Sequence, residues 1–208
     1  MVLRKGVDAR RGLRSRRSPF AAAERCVRRG QGGSIPDMET VRFRHAHFSA
    51  RFPVDCRYSA SHFWLRSVTA APADDSPRLW HVGFTKFATR MLGELVEMLL
   101  DVRPGQQVAG GQRLGTVEGF KAVSDLFCVV DGRFEAANPA LTAEACLTHS
   151  DPYGAGWLYA VHGTPMIGHM DVHGYVGLLT ETIDRLQASR YSDGGSHTGE
   201  EHANDVDG

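Results

Sequence analysis

The sequence predicts a mainly β fold with a few short helices. Three observations carry this: short apolar and aromatic runs separated by turn residues, glycines at close intervals through the middle of the chain, and one clear helical period near the end. Residues 62–68 (HFWLRSV) and 79–84 (LWHVGF) are strand-like runs flanking the turn-forming stretch Ala71-Pro72-Ala73-Asp74-Asp75-Ser76-Pro77, which predicts a hairpin. A short helix follows. Thr85 is placed to cap it, Phe87 and Met91 share one face, and Gly93 stands where a C-terminal stop belongs. From Glu94 to Phe134, β-type runs alternate with Gly105, Gly110, Gly111, Gly115, Gly119 and Gly132, the pattern of a small barrel or sandwich. Val172, Val176, Leu179, Ile183 and Leu186 then recur at helical spacing behind a capping Asp171, predicting one amphipathic helix packed on the β body. Trp64, Trp80, Trp157, Phe84 and Phe134 are expected in the core.

With 208 residues, 42% hydrophobic and 23% charged, the chain can build one core and is not disordered throughout. No window approaches the roughly 18 uninterrupted apolar residues of a membrane span, so no membrane association is expected. The zero formal charge hides three unlike regions. Residues 1–37 hold ten Lys and Arg against three Asp and Glu, residues 38–187 thirteen against sixteen, and residues 188–208 one against five. The organisation read from this is a disordered basic extension (1–37, or a start codon placed too early, with Met38 as the alternative), a folded body (38–187) and a disordered acidic tail (188–208). The only dense basic run lies outside the body, so nucleic acid is discounted as a partner. Cys26, Cys56, Cys128 and Cys146 form no CxxC pair and are expected to be free thiols. With no secretory leader visible, the expected compartment is the cytoplasm, or the mitochondrial matrix if the Arg-rich start is a transit peptide.

Lysine is scarce: only Lys5, Lys86 and Lys121 occur. Lys121 lies between a strand entering with Leu114 and Val117 and one leaving over residues 126–130, which places it at a hairpin tip. Gly119 and the Ser124-Asp125 pair suit tight turns, and Glu118 and Asp125 put a carboxylate on either side of the amine.

The stretch Glu118-Gly119-Phe120-Lys121-Ala122-Val123-Ser124-Asp125 resembles the lipoyl-lysine signature of the glycine cleavage system H protein family. Further landmarks agree in order. His62-Phe63-Trp64-Leu65 is similar to the family's His-Glu-Trp strand, and Val82-Gly83-Phe84-Thr85 with Leu92-Gly93-Glu94-Leu95-Val96 to its Gly-Ile-Thr helix and Leu-Gly-Asp strand. Asn138-Pro139-Ala140-Leu141 and Asp151-Pro152-Tyr153-Gly154-Ala155-Gly156-Trp157-Leu158 resemble the elements that follow. The likeness runs from about Tyr58 to Leu186. It implies a lipoyl-domain-like flattened β barrel or sandwich, a barrel-sandwich hybrid, and a carrier in place of a catalyst.

On this resemblance Lys121 is the attachment point of lipoic acid, the one expected cofactor. Glu118 and Asp125 are expected to serve recognition by the lipoylating enzyme or the geometry of the tip. The implied cargo is the aminomethyl group of glycine, shuttled between a glycine decarboxylase, an aminomethyltransferase and dihydrolipoamide dehydrogenase. A lipoate ligase or lipoyl transferase would install the arm. No catalytic or metal-binding residue is implied. The chain departs from the family at Phe63, where Glu is usual, at Met91, where His is usual, and at Lys86, where Asp follows Thr. An amine parked against Phe63 and Met91 would lose charge partners. This keeps open a second reading, an H-protein-like lipoyl carrier or relay for another pathway such as sulfur-compound oxidation or lipoyl transfer. A third reading is a binding module that has kept the fold without the modification. An enzyme reading has less behind it: His169 with His173, and His45 with His47, have metal-like spacing but no completing ligands, and are read as surface histidines.

Overall fold

The computed structural model describes residues 3–4, 38–69 and 76–193, with side chains described for 38–69 and 76–189. Most of the basic extension, the turn read at 71–77 up to residue 75, and the chain beyond 193 lie outside the described residues.

The mainly β prediction holds. Twelve strands are described: β1 (Leu3–Arg4), β2 (Thr40–His45), β3 (Phe48–Pro53), β4 (Arg57–Tyr58), β5 (Phe63–Ser67), β6 (Arg78–Phe84), β7 (Leu95–Leu100), β8 (Gln107–Val108), β9 (Arg113–Gly119), β10 (Val123–Phe127), β11 (Val130–Ala137) and β12 (Tyr159–Pro165). They form a six-stranded sheet in the order β4-β5-β6-β12-β11-β8, a four-stranded sheet in the order β1-β10-β9-β7, and a separate two-stranded sheet, β2-β3. The pairings given for these sheets are antiparallel. The two larger sheets make a flattened sandwich. Four helices complete the described fold: α1 (Lys86–Leu92), α2 (Ala140–Ala143), α3 (Leu147–Ser150) and α4 (Val172–Asp193).

Alternation along β5 divides the interior in two. Successive strand residues point to opposite faces, so Phe63 and Leu65 join a core with Val82, Phe84, Leu92, Leu114, Val117, Leu126 and Val161, whereas Trp64 joins a second core. That second core holds Phe43, Phe48 and Phe52 from the β2–β3 hairpin, Tyr58, Phe87 from α1, and Val172, Tyr175, Leu179 and Ile183 from α4. Phe52 meets Tyr58 and Tyr175 edge-on, and Tyr58 stacks on Tyr175 at 4.7 Å. The expected core aromatics Trp64, Trp80, Phe84 and Phe134 are buried, and Trp157 is half-buried, stacked on His81 at 4.2 Å.

The three helix boundaries read from sequence are present. Thr85 Oγ1 accepts from the Ala88 amide, and Gly93 closes α1 with φ of 81° while its amide reaches the Thr89 carbonyl. Asp171 caps α4 through the Gly174 amide at 2.8 Å. Three expectations need correcting. Helix α4 runs on to Asp193, past the boundary at 187 read for the folded body, and Leu186 is exposed while Tyr175, off the apolar series, is fully buried. Leu3 and Arg4 pair with Ser124 and Val123, so two residues of the basic extension are placed in a strand. Cys56 and Cys128 are free and buried, but Cys146 is disulfide-bonded; wide spacing in sequence sets no minimum distance in space.

Candidate functional site

Lys121 stands at the tip of the β9–β10 hairpin. Glu118 faces Val123 in the ladder, so Gly119, Phe120, Lys121 and Ala122 make the turn, closed by a bond from the Gly119 amide to the Ala122 carbonyl. The turn is also fastened from outside. The Lys121 amide donates to the Leu92 carbonyl at 3.0 Å and the Phe120 amide to the Glu94 carbonyl at 3.0 Å. Leu92 is the last residue of α1, whose terminal carbonyls have no partner within the helix. The tip satisfies one of them.

Two glycines allow this approach. A side chain at Gly119 would stand 2.4 Å from the Leu92 carbonyl oxygen, and one at Gly93 would meet the Lys121 backbone nitrogen at 3.1 Å. The backbone of the turn is therefore held while its side chains project. Lys121 is exposed and Phe120 is 71% exposed. Among the described residues Lys121 Nζ makes one hydrogen bond, to the Arg90 carbonyl at 3.4 Å, again near the negative end of α1.

The other lysine of the body is held differently. Lys86 is half-buried, its Nζ donates to the His149 carbonyl at 2.6 Å, and burial pushes the ammonium below the usual lysine range. Its amide nitrogen donates to the Tyr153 hydroxyl, tying the start of α1 to the Asp-Pro-Tyr segment. Burial, then the Lys86 cation, holds the His149 imidazole below the usual histidine range. Of the two, only Lys121 offers a free-standing amine.

Glu118 is exposed on β9, one residue before the turn, and lies directly across from the exposed Glu97 of β7. Asp125 lies further down β10, opposite Thr116, and accepts from Arg113 Nε at 2.9 Å. Arg113 also donates to Asp101 and to Thr116 Oγ1. Asp125 thus belongs to an ion-pair network along the strands and does not flank the amine. Neither Arg113 nor Glu97 was singled out from the sequence. Both follow from strand register, Glu97 from the irregularity between Leu95 and Glu97 and Arg113 from the one between Leu126 and Phe127, which spacing alone does not reveal.

Phe63 and Met91 also fall differently from the picture of a docked amine. Phe63 is 1% exposed and stacks on Phe84 at 5.2 Å, and Met91 packs on the second core. Phe63 therefore offers no face to an arm. The other sequence landmarks do structural work. Asp151 accepts from the Ala155 amide, Asn138 donates to the Ala155 and Trp157 carbonyls, and Trp64 Nε1 donates to the Pro152 carbonyl. Among the described residues no cluster of three or more His, Cys, Asp or Glu could hold a metal ion. His169 lies against Arg57, and His45 pairs with Asp184 at 2.6 Å.

Comparison with known proteins places this geometry. Residues 57–168, which contain the Lys121 hairpin, α1 and the Asp-Pro-Tyr segment, match the family model of the glycine cleavage H-protein. The chain belongs to the glycine cleavage H-protein family. A glycine cleavage system H protein of Mycobacterium avium is 38% identical over 136 residues, covering 62% of this chain and 97% of that one. One of Mycobacterium leprae is 42% identical over 110 residues, covering 53% and 77%. The crystal structure of a glycine cleavage system H protein from Mycobacterium marinum aligns at 36% identity with a TM-score of 0.53, covering 61% of this chain and 97% of that chain. These relatives are bacterial, and the mitochondrial-matrix alternative draws no support from them. No described helix is long and apolar enough to cross a membrane. The β2–β3 hairpin and α4 lie outside the span matched to the H-protein family model.

Proposed function

We infer that this chain is a cytoplasmic lipoyl carrier, with lipoic acid joined to Lys121 Nζ as an amide. The observation that carries the reading is an exposed primary amine on a turn whose backbone is bonded to α1. An acylating enzyme needs access to Nζ, and the single 3.4 Å contact to the Arg90 carbonyl is a small obstacle. The residues fit the group: Lys121 is exposed among the described residues, and Lys86, the other lysine in the folded body, is engaged and half-buried. When attached, lipoyl supplies a disulfide that opens to accept a group and electrons and is later re-formed. The chain's own residues position and present. Gly93 and Gly119 let the turn lie against α1, the Leu92 and Glu94 carbonyls hold its amides, the exposed Glu118 gives the lipoylating enzyme a carboxylate to read, and Asp125 braces the strands below the tip through Arg113.

The cargo is the aminomethyl group of glycine, carried between a decarboxylase, an aminomethyltransferase and dihydrolipoamide dehydrogenase; a lipoate ligase or lipoyl transferase installs the arm. Membership of the H-protein family supports this assignment. Intact mass after expression with lipoate tests the modification, and loading with glycine and the decarboxylase tests the cargo. A chain without the lipoyl increment from a lipoylation-competent host would overturn the carrier reading. A lipoylated chain that takes no aminomethyl group would favour the second reading, a carrier or relay for another pathway. The specific observation behind that alternative is that Phe63 lies in the first core and Met91 packs on the second, so neither position offers a charge to a docked amine.

A further inference from the structure

The β2–β3 hairpin has two unlike faces. Phe43, Phe48 and Phe52 point into the second core, while Arg42, Arg44, Ser49 and Arg51 are exposed on the other side. Arg42 stands directly opposite Arg51 in the ladder, and like charges in that position are destabilising. None of these three arginines has an ion pair to a carboxylate among the described residues.

The sheet that bears Lys121 shows the same arrangement with the sign reversed. Glu97 and Glu118 are exposed and directly opposed, Glu94 is exposed beside them, and none has an ion pair among the described residues. Asp101 and Asp125 share the single cation Arg113. This face is acidic with Lys121 as a free amine, and it loses one positive charge when that amine becomes a neutral amide. Each like-charge pair is unfavourable alone, and each is relieved by the other's sign.

We propose that the Arg42, Arg44 and Arg51 face of the hairpin docks on the Glu94, Glu97 and Glu118 face of a second copy of this chain. The hairpin is suited to present its charges as a fixed surface. Phe48 packs edge-on against Phe87 at 5.5 Å, and Arg90 donates to the His47 carbonyl while lying over the Phe48 ring. Because the two patches differ, the contact either closes as a two-fold pair that uses it twice or extends head to tail. Exposed charges make it weak and salt-dependent. Docking covers the acidic surface beside Lys121, so association and visits to other proteins compete for one face.

The test is sedimentation of the full chain at about 100 µM, in about 20 mM and about 300 mM salt, where screening differs strongly. The expected result is a species larger than the monomer at low salt that returns to monomer at high salt. Arg42→Glu with Arg51→Glu, and separately Glu97→Arg with Glu118→Arg, each weaken association by about tenfold or more. Mixing the two variants restores it, which also shows that both are folded. A monomer under every condition, or association indifferent to both reversals, overturns the proposal. So does a chain that stays monomeric while the arginine reversal reduces delivery to a partner enzyme, since the face then serves that enzyme. These measurements apply to the unmodified chain as well, so they stand or fall separately from lipoylation of Lys121.

Discussion

Two hairpins of this molecule solve opposite problems. The β9–β10 hairpin buries Leu114, Val117 and Leu126 in the first core and leaves its tip as the useful part. The β2–β3 hairpin uses Phe43, Phe48 and Phe52 to build a second core under α4, and its turn, with the exposed Ala46 and His47, serves to hold Arg90. One turn is bonded from outside so that a side chain can project; the other reaches out to brace the helix that does the holding. Helix α1 is common to both, giving Leu92 to the first core and Phe87 to the second. The lesson is that a carrier's exposed lysine depends on residues well removed from it in sequence.

The sharpest separation of the two hairpins comes from Lys121→Arg. It keeps charge and fold but offers no amine for acylation, so intact mass should show no lipoyl increment and carrier activity should be lost. Lys86→Arg should retain the increment. Phe52→Ala should strike the other hairpin. Removing a fully buried ring from the second core costs about 3–5 kcal/mol, read as a lowered midpoint in denaturant unfolding.

Acid should reveal the joint between the cores. His62 Nδ1 lies 3.0 Å from the Tyr175 hydroxyl, which also bonds Thr85, and burial pushes the imidazole down to about 4. The unfolded chain takes up this proton near pH 6.5 and the folded chain only near 4. Stability is therefore complete above pH 6.5, falls as pH drops from 6.5 to 4, and loses up to about 3 kcal/mol from this group. His62→Gln should flatten that part of a stability-against-pH curve.

Gly119→Ala tests the fastening of the tip. The added methyl meets a backbone carbonyl that has no easy way to give, so overpacking should cost about 1–3 kcal/mol and slow lipoylation of Lys121, followed by mass over time. The smallest effect is expected at the edge of the second core. His45→Ala removes a partly exposed pair with Asp184 and should change stability by no more than about 1 kcal/mol.

What was legible in the sequence was local. Thr85, Gly93 and Asp171 mark helix ends through residue chemistry that acts within a few positions, and Gly119 with the runs around it marks the tip. What escaped depends on register or on distant partners. The β2–β3 hairpin alternates as a strand should, but its arginines and histidines interrupt the apolar signal, and its aromatic residues find their partners in α1 and α4. Asp125 reads as a neighbour of Lys121 along the chain, yet the strand carries it away to Arg113. Phe63 reads as a lost charge partner, and only the alternation of β5 shows that the position faces the core. Tyr175 is buried because, near the start of α4, its ring packs on Phe52 and Tyr58, contacts that helical spacing alone does not reveal, while Leu186 near the other end is exposed.

The bonds from the Phe120 and Lys121 amides to Glu94 and Leu92 fix the pivot about which anything joined to Nζ must swing. With the pivot fixed, the local concentration of the free end at a docked neighbour is governed by tether length alone, and no extra slack dilutes it. Loosening those two bonds would enlarge the volume to be searched without lengthening the reach by a single atom.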